Sequence, residues 1–347
     1  MPASPLYSFK LAIDGTDLTD EVLEQVMRIE CVASIDALDT ASVKFSLPFG
    51  EDRASVMALL DKLGKTLTVT LSSGGTSFEH TTDIIEASIA VGAEEAVTLS
   101  GLEALHQLRG SKPPKVVVGN QGAALTAITG RHGLTSQADG TDGNDPETFL
   151  SGDDSAYVKK LGKQLNYRVG VDDGKLVFKR RNVATGSVLE LAYPGDVLSV
   201  RFRASIHDMI QKVTVHGMNP TQTEAILGEA NAPADLTKIS GGTTGTAAAN
   251  ALWTRNEVVT NAPVATTTLA AAIAKATLQQ AANTFISGTY VCGAIPAATP
   301  GIKIKAVGDM ADWPFTGPFM LKEARHVIDG GGYQTELDFF SDTFPPK

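Results

Sequence analysis

Cysteine is almost absent: Cys31 and Cys292 are the only two in 347 residues, far apart and without metal-ligand spacing around either. That excludes a disulfide framework and a zinc site, and makes two buried thiols the expectation. No apolar run approaches the length that spans a bilayer, so no membrane insertion is expected. Basic residues are the minority, 29 Lys and Arg against 39 Asp and Glu, and the formal net charge of −10 argues against a surface that neutralises nucleic-acid phosphates. The one compact basic cluster, Lys179-Arg180-Arg181, lacks interleaved aromatics and reads as a solvated strand end or subunit contact. An acidic lumen through which DNA slides without sticking would fit the sign of the charge. The start, Met1-Pro2-Ala3-Ser4-Pro5, has neither the basic residues nor the apolar core of a secretory signal.

Catalytic patterns are also missing. His80, His106, His132, His207, His216 and His326 are scattered, and none forms a pair that would put two ligands on one helix face. There is no Gly-x-Ser-x-Gly elbow; Ser151-Gly152 and Ser287-Gly288 are turn material. Gly241-Gly242 and Gly330-Gly331-Gly332 lack the spacing of a phosphate-cradling loop, and no Gly-Lys-Ser or Gly-Lys-Thr follows any of them. Asp142, Asp145, Asp153 and Asp154 cluster in a polar loop, but the twelve-residue calcium pattern with its terminal Glu is missing, so capping and solvation account for them. No catalytic, cofactor-binding or metal-ligating residue is assigned, and no cofactor is expected. Trp253 and Trp313 are isolated aromatics, each an interface anchor or a packing residue.

What the chain does have is alternation. Ser42-Val43-Lys44-Phe45-Ser46-Leu47 and Thr66-Leu67-Thr68-Val69-Thr70-Leu71 put polar and apolar residues on opposite faces, as strands with one wet face require. Asp52 to Leu63 carries Val56, Leu59, Leu60 and Leu63 at helical spacing, and strands resume at Asp83 to Ile89 and Ala96 to Leu99. Residues 1–110 thus read as a small barrel with a helix on its side. Gly110-Ser111-Lys112-Pro113-Pro114 breaks the pattern and marks a boundary.

Residues 111–187 read as a small α+β unit. Helices are expected over Gly122 to Arg131, stopped by Gly133, and over Ser155 to Leu165, capped by Asp153 or Asp154. A hairpin follows around Asp172-Asp173-Gly174. Residues 188–347 read as a second barrel, with strands at Val197 to Phe202 and Lys212 to His216 and an exposed Thr-, Ala- and Gly-rich loop over 219–265. An Ala-rich helix spans Thr267 to Phe285, its small side chains suited to close packing on a sheet. Four strands close the chain, through Phe285-Ile286-Ser287-Gly288, Pro300-Gly301-Ile302-Lys303-Ile304, Phe315-Thr316-Gly317-Pro318-Phe319 and a hairpin turning at Asp329-Gly330. His326 and Tyr333 flank that turn, where cross-strand packing explains both. The fold expected is mainly β, two tube-type barrels flanking an α+β insertion.

This series resembles the late control D family, the baseplate hubs of contractile phage tails and injection systems, related to the hub part of valine-glycine repeat spike proteins. The resemblance rests on Leu11-Ala12-Ile13-Asp14-Gly15-Thr16-Asp17-Leu18-Thr19, Leu38-Asp39-Thr40-Ala41-Ser42-Val43, Gly101 to Leu108, Asp154 to Leu161, Gly174 to Phe178 and the C-terminal strands, in that order. Nothing in Asn219 to Ala265 matches. It implies a structural protein rather than an enzyme: a homotrimer between a six-fold tail tube and a three-fold spike, enclosing an axial channel. The partners it implies are the tail tube protein, baseplate wedge proteins, a tape-measure contact and a spike, expected on a separate polypeptide because the sequence ends at Lys347. The location implied is the virion baseplate or injection particle, assembled in the bacterial cytoplasm. Two rival readings stand beside it: a tail-associated hydrolase of peptidoglycan or polysaccharide using the Asp142 to Asp154 carboxylates, and a carbohydrate-binding barrel module.

Overall fold

The computed structural model describes residues 7–48, 50, 52–92, 95–110, 112–139, 147–150, 152–172, 174–181, 184, 186–218, 225–231, 242–260, 264, 266–310 and 316–344. The chain is mainly β, and the expected alternation forms its first strands. β1 (Tyr7–Ile13), β2 (Val26–Ser34), β3 (Thr40–Ser46), β4 (Thr66–Ser73), β5 (Thr76–Ala90) and β6 (Ala96–Leu102) pair antiparallel. Leu67, Val69 and Leu71 of β4 are fully buried, as are Val43 and Phe45 of β3, while Thr68, Thr70 and Lys44 between them turn to the other face. The predicted helix appears as α1 (Asp52–Met57) continued by a 3-10 turn over Ala58–Lys62, and Val56 and Leu59 seal one side of this core.

The insertion holds α2 (Gln121–His132), α3 (Asp154–Leu165) and the hairpin of β7 (Tyr167–Asp172) with β8 (Lys175–Arg180). The caps follow the residue chemistry. Asn120 accepts from the Ala123 N–H, Gly133 ends α2 at φ 70°, and Asp153 rather than Asp154 accepts from the Ala156 N–H.

The second strand set is assembled from two distant runs. β9 (Leu189–Tyr193) and β10 (Val197–Ala204) come first. After a long excursion they are joined by β14 (Ile286–Cys292), β15 (Lys303–Gly308), β16 (Phe319–Asp329) and β17 (Gly332–Ser341).

The excursion differs from expectation. β11 (Lys212–Met218), read above as part of the second barrel, belongs instead to a separate three-stranded sheet with β12 (Ala225–Ala230) and β13 (Asn256–Val259). The described part of 219–265 is therefore not an extended loop: it supplies two of these strands and the short helix α4 (Gly245–Asn250). The reason is close packing. The Ala-rich helix, α5 (Thr267–Ala282), lies so near β12 that a Cβ on Gly228 would collide with the backbone of Ala270 and Ala271, so small residues here give tight contact rather than a thin core. β11, β12 and α5 share one apolar core with the insertion, in which Val213, Val215 and Ile273 join Leu161 and Phe178.

The two strand sets meet in one sheet. β16 pairs antiparallel with β2, from Glu323 opposite Ser34 to Ile328 opposite Ile29. Among the described residues the result is a thirteen-stranded sheet, counting the two-residue strand Thr16–Asp17 and the side pair β9 and β15, whose main path runs β10-β14-β17-β16-β2-β3-β6-β5-β4-β1.

Candidate interaction surface

Alternation across this sheet sorts its residues onto two faces. One is core. The other is mostly polar along the path, with Val32, Val327 and Val291 set among its charges, because cross-strand partners share a face. From the β10 end it carries Arg201 opposite Thr289, Thr289 opposite Asp338 and Arg325 opposite Glu336. It continues through Glu30 opposite Ser42 and Lys44 opposite Thr98 to Thr70 opposite Glu79 and Lys10 opposite Thr70. The face is not acidic, contrary to the sign of the whole chain: its charges are interleaved.

At the join of the two strand sets these charges form a ladder. Arg325 lies 2.6 Å from Glu30 and 3.6 Å from Glu336, and Arg28 lies 3.0 Å from Glu30 and 3.3 Å from Asp329. Burial alone would raise the Glu30 carboxyl, but hydrogen bonds from Arg28 and Arg325 outweigh it and hold Glu30 below its usual range. Sequence reasoning missed this ladder. The signal available was Arg28-x-Glu30, opposite charges two apart on a strand.

Among the described residues both ends of the sheet's main path are open: β10 pairs only with β14, and Tyr7 to Lys10 of β1 pair only with β4. Leu198, at a register shift in β10, is 61% exposed. Unpaired N–H and C=O groups on such edges are ready to extend the sheet into another chain.

Beneath the join, on the core face, lies a buried polar cluster. The His326 ring is fully buried. Its Nε2–H donates to the Ala298 carbonyl at 3.2 Å, which leaves Nδ1 to accept from the Tyr333 hydroxyl at 2.9 Å. Phe78 stacks on His326 with ring centroids 4.3 Å apart, and His80 beside it donates to the Thr40 carbonyl. Burial, with His80 adding to it, pushes His326 down to about 4. The cross-strand packing expected of His326 and Tyr333 is present, and it ties the second strand set to Phe78 of the first.

A second seam joins the first strand set to the insertion. Glu103 accepts from the Val171 N–H at 2.5 Å and from the Asp39 N–H at 3.4 Å. Burial and the neighbouring Asp39 push its carboxyl up to about 7. Gly170 leaves room for it, since a Cβ there would press on the carboxylate.

The other candidate residues are scattered. Asp153 caps α3. Asp154 is buried and holds Arg131 through both carboxylate oxygens and the His132 Nε2–H at 2.8 Å, so it clamps α2 to α3. Burial, with Lys112 and Arg131 nearby, keeps His132 below its ordinary value. Asp142, Asp145 and Trp313 lie outside the described residues. Arg181 turns within the chain to Asp36 at 2.7 Å rather than standing free in solvent. Cys31 and Cys292 are buried and unpaired, and burial pushes the Cys292 thiol up to about 12.

No family model matches the chain, and no curated protein matches it by sequence. Solved structures do match by fold. The 43 kDa tail protein of prophage MuSo2 from Shewanella oneidensis aligns with TM-score 0.66 at 14% identity, over 96% of this chain and 98% of that one. A tail protein from Neisseria meningitidis MC58 aligns with TM-score 0.66 at 14% identity, over 97% and 96%. The E. coli c3393 protein is a component of the type VI secretion system with structural similarity to the T4 bacteriophage tail proteins gp27 and gp5. It aligns with TM-score 0.61 at 13% identity, over 97% of this chain and 79% of that one. The chain therefore has a fold found in phage tail proteins and in a type VI secretion component.

Proposed function

We propose that the chain is a structural baseplate hub of a contractile tail or injection system, of the late control D kind, and that three copies form a ring around an axial channel. The observation that carries this reading is the open sheet: two strand sets fused side by side, with an edge at β10 and another at β1 that are unpaired among the described residues. Joining β10 of one copy to β1 of the next is a heterologous contact, and such contacts close into rings when the rotation allows. Three copies with two sets each then offer six near-equivalent units to a six-fold tube and three to a spike. The polar face would line the channel. Its paired charges would leave little free charge to hold a passing polyanion.

In this reading residues 1–110 and 188–347 supply the two tube-type units, and residues 111–187, sharing a core with β11–β13 and α5, form the α+β unit outside the ring. Tail tube, spike and baseplate wedge proteins are its partners, with a tape-measure contact in the channel. No catalytic step is assigned. The described members of the rival carboxylate set, Asp153 and Asp154, are held by a helix cap and an ion-paired clamp.

The test is native mass by light scattering, alone and mixed with the spike protein encoded beside it. Three chain masses in either sample supports the ring; a monomer in both refutes it. Leu198→Lys places a charge on the β10 edge and should shift the trimer towards monomer without unfolding it.

A further inference from the structure

Where the three cores meet, the chain leaves a groove. Its two lobes, of about 540 and 330 Å³, share Asp36, Arg181 and Gln280 and run from α3 to the end of β10. Five cations line it: Lys159 and Lys163 from α3, Arg181 after β8, Arg203 from β10 and Lys322 from β16. Two carboxylates oppose them. Asp36 is already engaged by Arg181 at 2.7 Å and Lys322 at 3.4 Å, leaving Asp208. Among the described residues Lys159, Lys163 and Arg203 have no carboxylate partner, and the buried Nε of Arg181 has no acceptor. A chain with net charge −10 thus concentrates unspent positive charge in one seam. The wall of the larger lobe also includes Leu38, Leu105 and Val169.

We propose that this groove binds an acidic segment of a partner protein, an extended stretch in which carboxylates alternate with apolar side chains. Carboxylates would meet the two lysines and the guanidinium groups, whose planar donors suit them, and the apolar side chains would settle against the leucines and valine. Single-stranded nucleic acid fits less well. It binds through aromatic faces on which bases stack, and the rings here, Tyr167, Phe339 and Phe340, are buried. Because the walls come from the first strand set, the insertion and the second strand set, an occupant would rivet the three together. The proposal does not depend on the ring.

Fluorescence anisotropy on the purified full chain tests it. The probe is a short fluorescein-labelled peptide of alternating glutamate and leucine, run beside its lysine-leucine counterpart and an oligothymidylate of similar length. The glutamate peptide should bind, with an affinity that falls as salt is added, and the other two should not. Lys159→Glu with Lys163→Glu, both surface changes on α3, should weaken it by about tenfold or more, with the circular dichroism spectrum unchanged. Lys115→Glu, outside the groove, should leave it within about twofold. No binding of the glutamate peptide, equal binding by the α3 variant, or oligothymidylate binding as tightly would each overturn the proposal.

Discussion

The two strand sets build similar sheets but differ in where their rings gather. The first is one continuous run of chain with a largely aliphatic interior, in which Leu67, Val69, Leu71, Val43 and Leu99 do most of the packing. Three of its pairings, β2–β3, β4–β5 and β5–β6, join neighbours in sequence, while β1–β4 and β3–β6 do not. The second is drawn from β9 and β10 on one side of a long excursion and β14 to β17 on the other, and a compact cluster of rings sits at its centre among aliphatic residues. Phe319 and Phe339 stack at 4.7 Å with planes 8° apart, Tyr290 lies 4.8 Å from Phe339, and Phe202 packs against the same pair. Closing a set across an excursion costs more loop entropy than closing adjacent hairpins. Large rings that bury much area per residue offset that cost.

The contrast is broken most forcefully at its centre. Phe339→Ala empties the middle of the aromatic stack beside Gly288, where a Cβ would strike the ring. The expected loss is ~3–5 kcal/mol, read as a lower urea midpoint. Val43→Ala in the aliphatic set should cost less, ~1–3 kcal/mol. Equal losses would mean that the two interiors are equivalent after all.

The seams on either side of the first set differ in the sign of their response to pH. His326 has its folded value lowered by burial to about 4. The unfolded chain therefore binds the extra proton, and this contribution to stability is lost as pH falls from about 6.5 towards 4. His80, also lowered by burial, acts in the same direction. Glu103 has its folded value raised to about 7. Its contribution is complete below about 4.5 and is lost as pH rises through 7. For His326 and for Glu103 the contribution is on the order of 3 kcal/mol, and in the overlap between them they oppose. Urea midpoints of the native chain should therefore rise with pH between 4.5 and 6.5 less than the histidines alone would make them. Glu103→Gln should steepen that rise, and His326→Gln should flatten or reverse it. A Glu103→Gln slope no steeper than the native one, or a His326→Gln slope no lower, would contradict this assignment.

Close packing in the excursion can be tested with one residue. Gly228→Val puts a branched side chain against the backbone of α5 and should cost ~1–3 kcal/mol through overpacking. It should speed hydrogen exchange in β11, β12 and α5 while leaving β3 and β4 unchanged.

Much of this division was legible in the sequence. The strict alternation of Thr66 to Leu71, a cap at Asp153 or Asp154, the stop at Gly133 and the turn at Asp329-Gly330 are local statements, and the structure contains each of them, with Asp153 as the cap. What escaped depended on partners far away in the chain. Ala225-Ile226-Leu227-Gly228-Glu229-Ala230 also alternates, with Ile226, Gly228 and Ala230 inward. Two of those three are so small that the apolar signal vanished, and only the position of α5 shows why small residues suit it. The pairing of β2 with β16 has no local signal, since each strand reads the same whichever neighbour it takes. The seam at His326 and Phe78 was hidden for the same reason.

The ladder on the polar face is where the two sets should differ least, and it gives the smallest effect. Arg325 touches Glu30 in the first set and Glu336 in the second, but its side chain is 41% exposed, so solvent screens much of the attraction. Arg325→Ala should cost only ~0.5 kcal/mol, and less at high salt. A double-mutant cycle with Glu30→Ala isolates the pair from the general loss of side chain. If the coupling instead exceeds about 2 kcal/mol and resists salt, the ladder acts as a buried clamp, and the two sets are held together from both faces of the sheet rather than from the core face alone.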